Sequence, residues 1–289
     1  MGNILITLQI IKFIKSLIRI TIMKVFIAVD MEGIAGLFQW DNSEIDLQKR
    51  LMTEEVNATI RGVFAGGASE VHVGESHANM RSILPELLDP RAYFLSGQPK
   101  PMNHMAGVDS SFDLAIFIGY HSKAGTKHGV MAHTYGNHIF SLFVNDIEIG
   151  EIGMDAALCG FHGVPVGLIA GDKAACDEAL EILPETLTAS VKTGISRSSA
   201  LSMPIEKARS LIEETSAKAV LNISNFKPYV FAGTVKVKVV FANPSYVDTI
   251  EHLDIITRVD GCTVEFEAEN ILKAFEWFNA FLFLSPAIR

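Results

Sequence analysis

The sequence is short of the residues that would cross-link it. Among 289 residues there are three cysteines, Cys159, Cys176 and Cys262, and no two of them are closely spaced. Such usage argues against a disulfide framework and for reduced, structural thiols in a cytosolic protein. Basic residues are also outnumbered, 24 against 33 acids, for a formal net charge of -9. Three of those cations, Lys12, Lys15 and Arg19, fall in the first 22 residues, which hold no acid. The remaining 21 cations face 33 acids, a net -12. That body lacks the basic face that phosphate binding requires, so nucleic acid is excluded as an expected partner.

Long apolar runs are missing as well. The longest charge-free stretch of the opening segment, Met1 to Ile11, is too short to cross a bilayer, and no small-residue cleavage site follows it. A stable membrane span and a clean signal peptide are therefore not expected. Lys12, Lys15 and Arg19 could line one face of an interfacial amphipathic helix. The simpler expectation is that residues 1–22 are a non-native extension, because Met23-Lys24 leads straight into the first core strand. Low-complexity segments, internal repeats and disordered linkers are absent too.

What is present is a large apolar fraction, 49%, enough for a full core with room for two domains. From Met23 the pattern alternates strand and helix. Val25-Phe26-Ile27 reads as a buried strand. Leu47, Leu51, Val56, Ile60 and Phe64 recur at helical intervals behind a cap at Asn42 or Ser43, and Gly66-Gly67 stops that helix. Strands are predicted at 70–73, 93–95, 113–118, 164–170 and 188–192, with a brief helix at 85–88. A hairpin is predicted about Asn145-Asp146, followed by helices from Gly150, from Asp172 to Leu183 and from Pro204 to Leu221. Further on, 234–241 and 263–266 alternate polar and apolar residues, the mark of a sheet with one wet face, and helices at 244–253 and 268–284 would cover the other face. The expected fold class is α/β: a three-layer α/β/α catalytic domain over 23–200 and a smaller two-layer α+β domain over 201–289, with a soft boundary between them.

The organising stretch is Ala28-Val29-Asp30-Met31-Glu32-Gly33-Ile34-Ala35-Gly36, where the first strand spills into a glycine-bearing loop. Residues i and i+2 of an extended segment point the same way, so Asp30 and Glu32 converge. Charge placed there calls for a divalent metal, an Arg or Lys, or open water. Three histidines, His77, His121 and His133, follow predicted strands or lie in glycine loops, and Glu151 opens a helix. Acids and imidazoles without a thiolate suit zinc or manganese in a hydrolytic site better than a closed structural zinc. His72, His104, His128, His138, His162 and His252 are read as structural or surface residues.

Five blocks in order carry a resemblance: Val29-Asp30-Met31-Glu32-Gly33, Glu75-Ser76-His77, Gly119-Tyr120-His121, Gly129-Val130-Met131-Ala132-His133 and Gly150-Glu151-Ile152-Gly153. The chain from Met23 onward resembles the zinc-dependent D-aminopeptidase family linked to bacterial dipeptide-transport operons. The resemblance implies a metallopeptidase acting on short peptides, with two zinc ions per subunit held by Asp30, Glu32, His77, His121 and Glu151. It implies a catalytic His133, proposed in the family as a nucleophile, and a homo-oligomer, decameric in family members. Oxygen and imidazole donors would accept manganese or cobalt as well. On physical grounds Asp30 is the expected metal bridge, and His133 is better suited to moving protons or holding the oxyanion than to attacking a carbonyl. Two departures concern the surroundings of the site: Glu75 stands where the family often has Asp, and the loop near Lys127-His128 is longer by a residue. Alternative readings are another dinuclear metal hydrolase, an amidase or phosphoesterase, and a non-catalytic, metal-stabilised binding protein. A phosphoesterase would want cations, and the candidate loops offer Lys100, Lys123 and Lys127.

Overall fold

A computed structural model describes residues 23–287, so the expectation for residues 1–22 lies outside the described residues. Strand β1 (Lys24–Val29) is central because its residues from Val25 to Val29 are all apolar and all buried. Val25, Ile27 and Val29 face one core while Phe26 and Ala28 face another, as period-two alternation between two covered faces requires. β2 (Glu70–Glu75) and β4 (Leu114–Tyr120) flank it, both parallel. With β3 (Ala92–Leu95), β7 (Val166–Asp172), β8 (Leu187–Ser196) and β9 (Ser199–Ser202), they form a seven-stranded sheet in the order β3-β2-β1-β4-β7-β8-β9. It is parallel except at β9, which turns back on β8.

Helices cover both faces. On one side lie α1 (Ile45–Ala65) and α4 (Ile205–Leu221), where Met52, Val56, Ile60 and Val63 share a core with Ile212, Ala219 and the odd residues of β1. On the other lie α2 (Glu151–Phe161) and α3 (Lys173–Ile182), with Ile152, Leu158, Ala175 and Ala179 packed toward Phe26 and Phe117. This is the expected α/β architecture with three layers. Asp172 caps α3 by accepting from Ala175 N at 3.0 Å. At the start of α1 the cap is Asp41 rather than Asn42 or Ser43; it accepts from Ser43 N and leads a short 3-10 turn, Asn42–Glu44, into the helix.

A second sheet of five strands is antiparallel: β11 (Thr257–Arg258), β12 (Thr263–Ala268), β10 (Val235–Phe241), β5 (Ile139–Val144) and β6 (Ile147–Ile149), in that order. The turn between β5 and β6 places Asn145 at φ 49° and Asp146 at φ 65°, the left-handed pair that a two-residue hairpin of type I′ demands. In β10 the odd residues Val235, Val237, Val239 and Phe241 are buried, while Lys236 and Lys238 face outward. α6 (Ile271–Leu284) lays Phe275, Phe278 and Phe281 onto that buried face, and this core is continuous with the one under α2.

Three expectations need correction. Residues 85–88 form a turn, not a helix. The helix expected over 244–253 stops at α5 (Pro244–Asp248). The sheets do not divide at residue 200, because the β5–β6 hairpin pairs with β10, about ninety residues further along the chain, while α4 belongs to the layer on the large sheet. A hairpin's sequence specifies its turn and its two strands, but not the third strand on which it docks.

Candidate metal centre

All six expected site residues lie together over the C-terminal edge of the parallel strands, where open α/β sheets place their chemistry. Asp30 and Glu32 leave β1, His77 follows β2, His121 follows β4, Glu151 is the first residue of α2, and His133 comes from the loop between β4 and β5. The Asp30 turn is held by Asp30 N donating to Ile118 O at 2.8 Å and Gly33 N to Gly119 O at 2.7 Å. The two chain segments approach so closely that a Cβ on Gly33 would collide with the Tyr120 carbonyl, and one on Gly119, at φ +72°, with the carbonyl of Asp30. Only glycine fits either position.

The side chains form two trios, Asp30–Glu32–His77 and His121–His133–Glu151; in each, one candidate ligand atom per residue lies within 4.8 Å of the others. Asp30 belongs to both environments. Its Oδ1 is 3.3 Å from His77 Nδ1, and its Oδ2 is 3.4 Å from His121 Nε2. Glu32 Oε2 is 3.0 Å from His77 Nδ1, and Glu151 Oε1 is 3.4 Å from His121 Nε2. His121 Nδ1 donates to the Ser122 carbonyl at 2.9 Å, which turns Nε2 toward two carboxylate oxygens. That buried Nε2 has no hydrogen-bond partner. One imidazole nitrogen and two carboxylate oxygens converging without a hydrogen bond between them form a donor set that a cation fits.

Charge in the cluster is uneven. Burial and the neighbouring Glu32 push Asp30 up to about 7. Burial would raise Glu32 too, but His77 holds it well below the usual carboxylate range. Glu151, opposed in the same way by burial, is held at about 2 by His121 and His133. Burial and the adjacent His121 lower His133, which stacks on that ring at 4.1 Å between centroids. His133 Nδ1 donates to the Met131 carbonyl at 2.9 Å, so a neutral ring presents Nε2 as a base.

Several further residues support this cluster, and of these Trp40 and Lys192 were not singled out in the sequence. Trp40 Nε1 donates to Glu32 Oε1 at 2.6 Å, and its ring meets His133 edge-on. Buried Lys192 donates to the carbonyls of Glu32, Ile34 and Leu37 at 2.5, 2.8 and 2.5 Å, fixing the loop that carries Glu32. Lys100 does the same at the Glu75 carbonyl, and is thus committed to the protein rather than open to an anion. The Glu75 carboxylate accepts from Ser82 N and Ile83 N, so it secures the loop after His77. His104, expected to be structural or surface, instead lines the cavity beside Glu151. No periodicity marks these residues, because their partners are remote in sequence.

The cluster opens into a cavity of about 670 Å³ lined also by Trp40, Asn103, Tyr135, Leu282 and Phe283. Its apolar and polar walls could enclose a small polar organic molecule. Among the described residues no helix is long and apolar enough to cross a membrane. An acid–imidazole cluster without thiolates, on a parallel sheet and beside such a cavity, defines a hydrolase of the metal-binding α/β class.

Comparison with known proteins narrows that class. The family described as D-aminopeptidase matches residues 23–280. A D-aminopeptidase of Bacillus subtilis (strain 168) is 36% identical over 264 residues, covering 88% of this chain and 94% of its own length. A solved structure, the Zn-dependent D-aminopeptidase DppA from Bacillus subtilis, described as a self-compartmentalizing protease, superposes with a TM-score of 0.88 at 34% identity. It covers 92% of this chain and 99% of its own. The chain belongs to the D-aminopeptidase family, and is a peptidase.

Proposed function

We propose that this peptidase is a zinc-dependent aminopeptidase of short peptides with a D-residue at the amino end, working through a dinuclear centre. In this reading Asp30, Glu32 and His77 would hold one ion and His121 and Glu151 the other, with Asp30 facing both trios. The observation that carries it is the division of the Asp30 oxygens between the two trios, together with the unpartnered Nε2 of His121. Zinc is supported by the donor set and by the Zn-dependent Bacillus relative. When bound, a zinc pair supplies Lewis acidity and a nucleophile at neutral pH.

The chain's own residues do the rest. Neutral His133 takes up a proton at Nε2 and returns it to the leaving amine, its tautomer set by the Met131 carbonyl. Trp40 and Lys192 keep Glu32 in place, and the cavity beside the cluster gives the peptide room. A phosphoesterase reading loses the three cations expected for it, since Lys100 is bound to a carbonyl and Lys123 and Lys127 do not line the cavity, whose one lysine is Lys49. By likeness to the self-compartmentalizing relative, the subunits assemble into a homo-oligomer, and the sparse cysteines suit the cytoplasm.

Metal analysis of freshly purified protein, coupled to a panel of D- and L-alanyl dipeptides, tests the reading. Two zinc equivalents per subunit, D-selective hydrolysis and complete loss on chelation are expected. Equal rates on L-peptides, or preference for a phosphate ester, would overturn the substrate assignment, and one equivalent would overturn the dinuclear centre.

A further inference from the structure

The cavity beside the two trios is charged unevenly. Asp30, Glu32, Asp41 and Glu151 all line it, but among the described residues its wall holds one lysine, Lys49, and no arginine. Lys49 lies on α1, where Ile45, Gln48 and Lys49, at i, i+3 and i+4, present one helical face to the cavity. That face is firmly held. Gln48 is buried and its side-chain amide donates to the Asp41 carbonyl at 3.1 Å, while the Lys49 carbonyl accepts from Thr53 Oγ1 at 2.8 Å.

The ammonium itself is uncommitted. Lys100 and Lys192 are buried and donate to backbone carbonyls, and Lys24, Lys173 and Lys273 meet carboxylates. Lys49 has neither kind of partner among the described residues, although it is partly buried. Asp41, on the same wall, turns its Oδ1 instead to the Ser43 amide and hydroxyl, at 2.8 and 2.6 Å. An ammonium carries three donors and no acceptor, so a lysine anchored on this helix face keeps its hydrogen bonds for a ligand anion.

Charge decides which end of a peptide goes there. In the aminopeptidase reading the α-amine and the scissile carbonyl lie at the acid–imidazole end, so the far end of a short peptide brings the carboxylate. Away from the metal centre that carboxylate finds its one counter-charge at Lys49.

We propose that Lys49 binds the terminal carboxylate of the substrate and so selects free short peptides over blocked ones. The proposal rests on the aminopeptidase reading for the orientation of the peptide, and it concerns a residue outside the two trios.

Zinc-loaded wild type, Lys49→Gln and Lys49→Arg are compared on a D-alanyl dipeptide and on its C-terminal amide, with zinc content and particle mass measured for each. The acid-over-amide ratio of kcat/KM should be about tenfold higher in wild type than in Lys49→Gln, with the difference carried by KM for the acid and zinc content intact. Lys49→Arg keeps the charge and should restore most of the ratio. An equal ratio in wild type and Lys49→Gln overturns the proposal. So does an equal loss on both substrates with an altered particle mass, which assigns Lys49 to a subunit contact. Should wild type cleave neither substrate, the aminopeptidase reading falls by itself, and calorimetry with the same two ligands decides the contact. Tighter binding of the acid than of the amide by wild type, lost in Lys49→Gln, supports it, whereas equal binding, or none, overturns it.

Discussion

The trio Asp30–Glu32–His77 and the trio His121–His133–Glu151 are both built from carboxylates and imidazoles, yet they handle buried charge in opposite ways. The first has two carboxylates and one imidazole. His77 can serve Glu32, but Asp30 is left with its burial and a like charge, and rises to about 7. The second has one carboxylate between two imidazoles, and Glu151 falls to about 2 despite burial. The acid-rich trio needs an added positive charge, while the imidazole-rich trio already contains its compensation. Two ions held here would therefore be held unequally, with Asp30 joining the strong demand to the weak one.

The sharpest way to break this comparison is to remove the shared member. Asp30→Asn should lower kcat/KM by roughly 10⁴-fold or more and reduce bound zinc below two equivalents, measured by dipeptide assay and elemental analysis. Retention of both ions would show that the trios are independent. Next in size is His133→Ala, expected to lower kcat by about 10²–10⁴-fold with zinc content intact, since it removes a base rather than an acid-rich ligand. An isolable acyl-His133 in single-turnover trapping would assign it instead as the nucleophile.

A smaller effect sharpens the contrast on the acid-rich side alone. Trp40→Phe deletes the 2.6 Å hydrogen bond to Glu32 Oε1 and should weaken zinc binding by roughly 10–100-fold at one of two sites in competition titrations. Uniform weakening at both would argue that Glu32 does not distinguish the trios. The smallest effect lies outside both. Glu178, buried with its Oε2 on Lys123 N, is raised by burial to about 7. Its folded value exceeds its unfolded one, so the folded state holds the proton longer and loses stability as pH rises from about 4.5 through 7. Glu178→Gln removes that loss, and should be more stable than wild type at pH 8 by about 2 kcal/mol, with no gain at pH 4, in denaturant melts.

Much of the fold was legible from local pattern. The unbroken apolar run of β1, the helical spacing of Leu51, Val56 and Ile60, and the Asn145-Asp146 turn each act over a few residues, and each formed where expected. The glycines at 33 and 119 read in the sequence only as loop glycines, and the fold shows the close approach they permit. Residues whose meaning depends on distant partners were not legible. Lys192 looks like an ordinary strand lysine until its Nζ meets carbonyls some 160 residues earlier in the chain. His104 and Asp155 are 51 residues apart and share no motif, and the β5–β6 hairpin gave no sign that it would join β10.

By itself, then, the sequence determined the alternation of strands and helices and the acids and histidines at strand ends, because propensity and hydrophobic period act locally and a strand's end is visible as its apolar run stops. Only the tertiary structure decided that Asp30 turns one oxygen to each trio, that His121 keeps an unpartnered nitrogen, and that His104 shares the cavity wall. Those facts depend on distances between segments far apart in the chain, which chain closure and packing set.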